Sequence, residues 1–113
     1  MPFINVKTTV ALDDAKKEVL NAELARITKE CLGKGENWVM TSFEGNASLA
    51  FQGSTADIAY VEVKAYGEPS AAGADKMTAG VCQLMQTELQ IPESRTYVSY
   101  WGTDKWGWSG SNF

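Results

Sequence analysis

Polar and apolar positions alternate almost from the first residue. Across residues 3–10, Ile4, Val6, Thr8 and Val10 share one face and Phe3, Asn5, Lys7 and Thr9 the other, which predicts a half-buried strand. The period then changes. Asp13 and Asp14 offer an N-cap and a favourable charge, and Leu20, Leu24, Ile27 and Cys31 follow at spacings of 4, 3 and 4, the stripe of an amphipathic helix of about five turns. Gly33 is placed to end that helix in the left-handed conformation. A strand-like run from Trp38 to Phe43 completes a strand, helix, strand unit.

The same order then recurs. Gly45-Asn46 and Gly53-Ser54 mark turns around the short apolar stretch Leu49-Ala50-Phe51, and residues 57–66 form a second long strand. After Gly67, Pro69 and Ser70, the residues Ala74, Met77, Val81, Leu84 and Met85 trace a second helical stripe, weakened at Gly80 by up to about 1 kcal/mol relative to alanine. Ile91-Pro92-Glu93-Ser94 ends it and residues 95–101 are again a strand. Corresponding segments, residues 32–40 and 90–98, lie about 58 residues apart. The chain therefore reads as one α/β (α+β sandwich) domain, residues 1–113, built as a tandem β-α-β pseudo-repeat. Its four-stranded sheet carries two helices on one face. The long strands bear apolar or aromatic residues on both faces, so the uncovered face calls for an oligomer that closes sheets against one another.

Composition narrows the chemistry. The 113 residues contain no histidine, which removes Ser-His-Asp and Cys-His nucleophile pairs, histidine metal sites and imidazole acid–base catalysis. Cys31 and Cys82 fall inside the helical stripes and read as small core hydrophobes; neither belongs to a Cys-x-x-Cys pair. No metal and no cofactor is expected. The formal charge of −4, with no Lys/Arg cluster, argues against nucleic acid as a partner. There is no basic segment followed by an apolar run and no 18-residue apolar stretch, so neither a signal peptide nor a membrane span is expected and the cytoplasm is the expected location.

A base remains available at the head of the first strand. Removal of Met1 would leave Pro2 as a secondary amine whose direction the strand fixes. Burial and a nearby cation would bring its pKa towards neutrality, where proton abstraction is most effective. Taken alone, Pro2 is also simply a common second residue, and with Met1 attached its nitrogen is an amide without basicity.

From end to end the chain resembles the macrophage migration inhibitory factor family of the tautomerase superfamily. The resemblance rests on Met1-Pro2-Phe3-Ile4, Leu32-Gly33-Lys34, Trp38-Val39-Met40, Phe51-Gln52-Gly53-Ser54-Thr55, the run from Ile91 to Val98, and the tail from Trp106 to Phe113. It implies a homotrimer in which three sheets form a central barrel, with an active site at each subunit interface. It also implies a cofactor-independent keto–enol tautomerase of the phenylpyruvate type, acting on small aromatic α-keto acids and on dopachrome-like compounds.

Carried over by position, Pro2 is the general base and Lys34 the cation that holds the substrate carboxylate and depresses the Pro2 pKa. Tyr97, supplied by a neighbouring subunit, donates a hydrogen bond and shapes the pocket. The Tyr66 backbone N–H faces the carboxylate, while Phe3, Trp106, Trp108 and Phe113 make aromatic walls. Read without the family, Lys34 is a dipole-complementing surface lysine, Tyr97 a core residue and the terminal tryptophans a subunit contact. Ser99 stands where family members commonly have asparagine, and Tyr66 where a small aliphatic residue is common; both bear on substrate range. Ile58-Ala59-Tyr60-Val61 replaces the Cys-x-x-Cys of some relatives, so no thiol oxidoreductase activity is expected. The resemblance implies two alternatives to catalysis: a secreted, cytokine-like protein that leaves the cell without a signal peptide and engages a cell-surface receptor, and a trimeric scaffold with a vestigial pocket.

Overall fold

The computed structural model describes residues 1–113. Strand β1 (Pro2–Thr8) leads through α1 (Asp14–Leu32) to β2 (Met40–Glu44), and β3 (Ala59–Tyr66) leads through α2 (Ala71–Leu89) to β4 (Thr96–Thr103). The sheet order is β2-β1-β3-β4. Each repeat is a parallel pair, and β1 and β3 join the two pairs antiparallel at the centre. A short hairpin, β5 (Gly107–Trp108) with β6 (Ser111–Asn112), ends the chain.

Local chemistry sets the helix ends. The Asp13 side chain accepts the Lys16 N–H at 2.7 Å and caps α1, while Gly33, at φ +69°, ends it by donating its N–H to the Lys29 carbonyl. Ser70 accepts from the Gly73 N–H to cap α2, and Gln90 takes the left-handed position at its end. Both helices lie on one face of the sheet. Ile4 and Val6 from β1 and Ala59, Val61 and Val63 from β3 are fully buried against Leu20, Leu24, Met77, Val81 and Met85. This is the alternation expected for β1, except that Pro2 joins the buried set, Asn5 is buried on the opposite face, and the strand stops at Thr8, leaving Val10 half-buried beyond its end.

Three details differ from the sequence expectation. Trp38 is not in the second strand but in a 3₁₀ turn, Glu36–Trp38, so the strand starts at Met40. Ala74 is only half-buried, and Gly80 faces Ile27 across the helix pair. As the sequence suggests, Cys82 is a buried thiol, its pKa pushed up by burial first and then by the charge of Glu93, and Cys31, half-buried, packs against the core margin. The 107–112 hairpin has no counterpart in the periodicity, because two-residue strands are too short to carry one.

The face away from the helices is open. Met40 is 66% exposed, Tyr97 61% and Trp101 48%, and between them Asn5 donates to both Glu44 (2.8 Å) and Glu62 (3.2 Å) and accepts from Ser42 (2.6 Å). Large aromatic groups flank a satisfied polar ladder, a surface too mixed for a core and too apolar to be left to solvent. No helix is long and apolar enough to cross a membrane.

Candidate functional site

The antiparallel pairing of β1 with β3 sets Pro2 opposite Ala65, so the chain start lies beside Tyr66, the last residue of β3. Pro2 itself is buried. The Tyr66 N–H donates to the Met1 carbonyl at 3.0 Å, and the Tyr66 carbonyl accepts from Lys34 Nζ at 2.8 Å. Both polar ends of one residue thus point into the region of the first peptide bond. The Met1 amine there is held below its usual pKa, by loss of solvent first and the charge of Lys34 second. A basic nitrogen in this place is biased towards its neutral form.

Lys34 arrives from the end of α1. Gly33 turns the chain out of α1, and the next residue projects its ammonium to the end of β3. Beyond Tyr66, Gly67 donates its N–H to the Thr103 carbonyl at 2.8 Å. A Cβ at Gly102 would come within 2.6 Å of the Glu68 backbone, so the end of β4 has to carry a glycine where the β3–α2 loop crosses it. A cavity of about 220 Å³ lies against this crossing, lined by Lys34, Tyr66, Glu68 and Pro69 among others.

The tail folds over the same end. Phe113 donates its N–H to the Trp106 carbonyl at 3.0 Å; its ring lies 5.6 Å from that of Tyr66 and is stacked parallel to Trp108 at 6.3 Å. Trp108 in turn meets Trp38 edge-on at 4.9 Å. Trp38, which the sequence reading assigned to a strand, thus joins the aromatic cluster of the tail. A tryptophan in a one-turn 3₁₀ segment gives no periodic signal, and only the hairpin opposite identifies its role. The Tyr66 ring turns towards Phe113 and towards Lys34, whose Nζ lies 5.9 Å from its centroid.

The remaining candidates lie elsewhere. Phe3 and Trp106 line a separate cavity of about 590 Å³ on the open face of the sheet, with Lys64 and Trp101. Tyr97 is at the opposite end of the sheet from Pro2, and Ser99 is at mid-sheet, in register with Glu62 and Asn5. Tyr97 pairs with Tyr60, five residues along β3 from Ala65, a separation of roughly 17 Å at about 3.3 Å per residue. The Ser99 hydroxyl is already bonded to that of Tyr60 at 2.7 Å. Within one chain Tyr97 cannot reach Pro2, whereas a second copy placed with the start of its β4 against the end of β3 would bring it there.

Comparison with known proteins gives one consistent result. A family model described as macrophage migration inhibitory factor (MIF) matches residues 1–113. The crystal structure of Leishmania major MIF2 superposes with a TM-score of 0.95 at 42% identity, covering 100% of this chain and 97% of that one. A macrophage migration inhibitory factor homologue from Prochlorococcus marinus gives a TM-score of 0.83 at 32% identity, covering 98% of each chain. The Xenopus laevis macrophage migration inhibitory factor is 24% identical over 115 residues, covering 100% of this chain and 99% of that protein.

Proposed function

Because the chain belongs to the macrophage migration inhibitory factor family of the tautomerase superfamily, we propose that it is a keto–enol tautomerase for small aromatic α-keto acids of the phenylpyruvate type, working as a homotrimer with the Pro2 amine as its base. The observation that carries this reading is the meeting of three groups at one point: the chain start, Lys34 Nζ and the Tyr66 N–H. With Met1 removed, the Tyr66 N–H loses the carbonyl it now serves and becomes a donor for an incoming oxygen. Lys34 supplies the positive charge beside it. Together they match a carboxylate, whose charge-assisted hydrogen bonds are roughly twice as strong as neutral ones.

The chemistry follows from that anchor. With the carboxylate held by Lys34 and Tyr66, the Pro2 nitrogen removes a proton from the carbon next to the ketone, the C–H electron pair becomes the C=C bond of the enolate, and the resulting Pro2 ammonium delivers that proton to the oxygen, which leaves the enol and the free amine. The same nitrogen returns the proton in the reverse direction. The environment that depresses the Met1 amine pKa, burial followed by Lys34, would act on a Pro2 amine one residue further in. Tyr97 from the neighbouring subunit donates to the carbonyl oxygen where negative charge develops. Phe113, Trp108 and Tyr66, with Phe3 and Trp106 from the cavity on the open face and Ser99 near Tyr97, form the walls that favour an aromatic side chain. Tyr66 shortens the space available, so smaller rings are preferred.

The deciding experiment is phenylpyruvate keto–enol conversion on protein whose N-terminal residue has been checked by intact mass. Turnover is expected with Pro2 exposed and none with Met1 attached, and Pro2→Gly is expected to lower it by about 10²-fold or more, the usual scale of a positioned base. An inactive protein with a free Pro2 would replace this reading with a binding or scaffold role.

A further inference from the structure

Arg95 stands just before Tyr97 and is used in an unusual way. None of the chain's ion pairs includes it. Its guanidinium instead donates to four backbone carbonyls of one loop: Phe51 at 3.4 Å, Ser54 at 3.1 Å, Ala56 at 3.0 Å and Asp57 at 3.1 Å. The loop's other hydrogen bonds are the tight turn in which Phe51 and Ser54 exchange bonds at 2.9 and 3.0 Å, the Ala56 N–H to the Ser54 hydroxyl at 3.1 Å, and the Thr9 hydroxyl to the Asp57 carboxylate at 3.2 Å, so four of its carbonyls rest on the one guanidinium. The guanidinium also lies 5.6 Å from the centre of the Phe51 ring, and Phe51 meets the Tyr97 ring edge-on at 5.0 Å.

Tyr97 needs such a support. The hydroxyls of Tyr60 and Tyr100 are bonded within the chain, but that of Tyr97 is not, and the residue is 61% exposed. A cavity of about 170 Å³ lies beside it, lined mainly by apolar side chains, into which an unsupported ring would fold. We propose that Arg95 is a positioning residue for Tyr97: it gathers residues 51–57 so that Phe51 sets the direction in which the Tyr97 hydroxyl leaves its own subunit. This rests on the tautomerase reading, in which that hydroxyl serves a neighbour's site. Lysine cannot replace it, because a single ammonium lacks the planar fork of five donors that spans four carbonyls.

The test is a double-mutant cycle on kcat/KM for phenylpyruvate, using wild type, Arg95→Lys, Tyr97→Phe and the double variant, with 3-fluorotyrosine incorporated for fluorine NMR. Arg95→Lys is expected to lower kcat/KM about tenfold when Tyr97 is present and by less than about twofold in the Tyr97→Phe background, since coupled residues do not act additively. It is also expected to shift or broaden the Tyr97 fluorine signal. Equal losses in both backgrounds, or no loss in either, would overturn the proposal. If Arg95→Lys fails to fold, Phe51→Leu leaves the guanidinium in place and enters the same cycle with the same expectations. If wild type with a free Pro2 has no turnover, the tautomerase reading falls. The Tyr97 signal then decides alone, an unchanged signal in Arg95→Lys overturning the role of Arg95 and a changed one supporting it.

Discussion

Lys34 is one residue past a helix end, where a lysine ordinarily completes the macrodipole and faces water. Here the left-handed Gly33 redirects the chain, and the ammonium reaches the Tyr66 carbonyl at 2.8 Å beside the chain start. Two effects should separate on substitution. Lys34→Ala is expected to raise the KM for a carboxylate substrate about tenfold or more, the scale of a charged hydrogen bond, and to leave the KM of its methyl ester nearly unchanged; parallel kinetics on acid and ester check this. The second effect has a definite sign in pH. A neighbouring cation disfavours protonation of an amine, so its removal raises the amine pKa, and the acidic limb of the pH–rate profile should move to higher pH. At this scale Lys34, Tyr66 and Pro2 were legible as candidates from the sequence. Trp38 was not, because its importance lies in meeting Trp108 from a hairpin 70 residues further on.

The elements follow from local rules with few exceptions. Asp13 and Gly33 bound α1 as their types predict, and α1 and α2 bury the 3,4-spaced stripes apart from Cys31 and Ala74, which are half-buried. The seam between α2 and β4 holds a feature that periodicity does not reveal. Tyr100 sits on the helix-facing side of β4, its hydroxyl donating to the Ala74 carbonyl at 3.0 Å and paired with the Thr78 hydroxyl at 2.7 Å. Burial is the main cause that pushes its pKa above the usual value, with Cys31, Cys82 and Asp75 adding to it and the Thr78 bond opposing it. A phenol with a raised folded pKa holds its proton more tightly in the folded than in the unfolded chain. Its contribution is therefore complete below about pH 10 and is lost as pH rises towards the folded value. Stability measured by denaturant unfolding should thus fall more steeply above pH 10 in wild type than in Tyr100→Phe. At neutral pH Tyr100→Phe should cost about 1 kcal/mol for the lost hydrogen bonds.

For the whole molecule, strand register decides most. It puts Pro2 and Tyr97 at opposite ends of one sheet and leaves Met40, Tyr97 and Trp101 on a face that no element of the chain covers. If the site joins Pro2 of one subunit to Tyr97 of another, Pro2→Gly and Tyr97→Phe subunits should complement each other. Unfolding and refolding an equal mixture should restore about a quarter of wild-type activity, the share of heterologous interfaces that pair an intact Pro2 with an intact Tyr97. An activity no higher than the mean of the two variants would place both groups in a single chain. The amino-acid sequence by itself determined the two β-α-β units, the helix caps and the residue types able to do chemistry without histidine. These depend on interactions within a few residues, which period and capping record. Only the tertiary structure decided that the chain start, Lys34 and the Tyr66 backbone meet at a point, that the C-terminal hairpin closes over them with Trp38, and that Arg95 gathers the loop behind Tyr97. Each is a contact between distant segments, set by how strands pair and helices pack, and no local pattern carries that information.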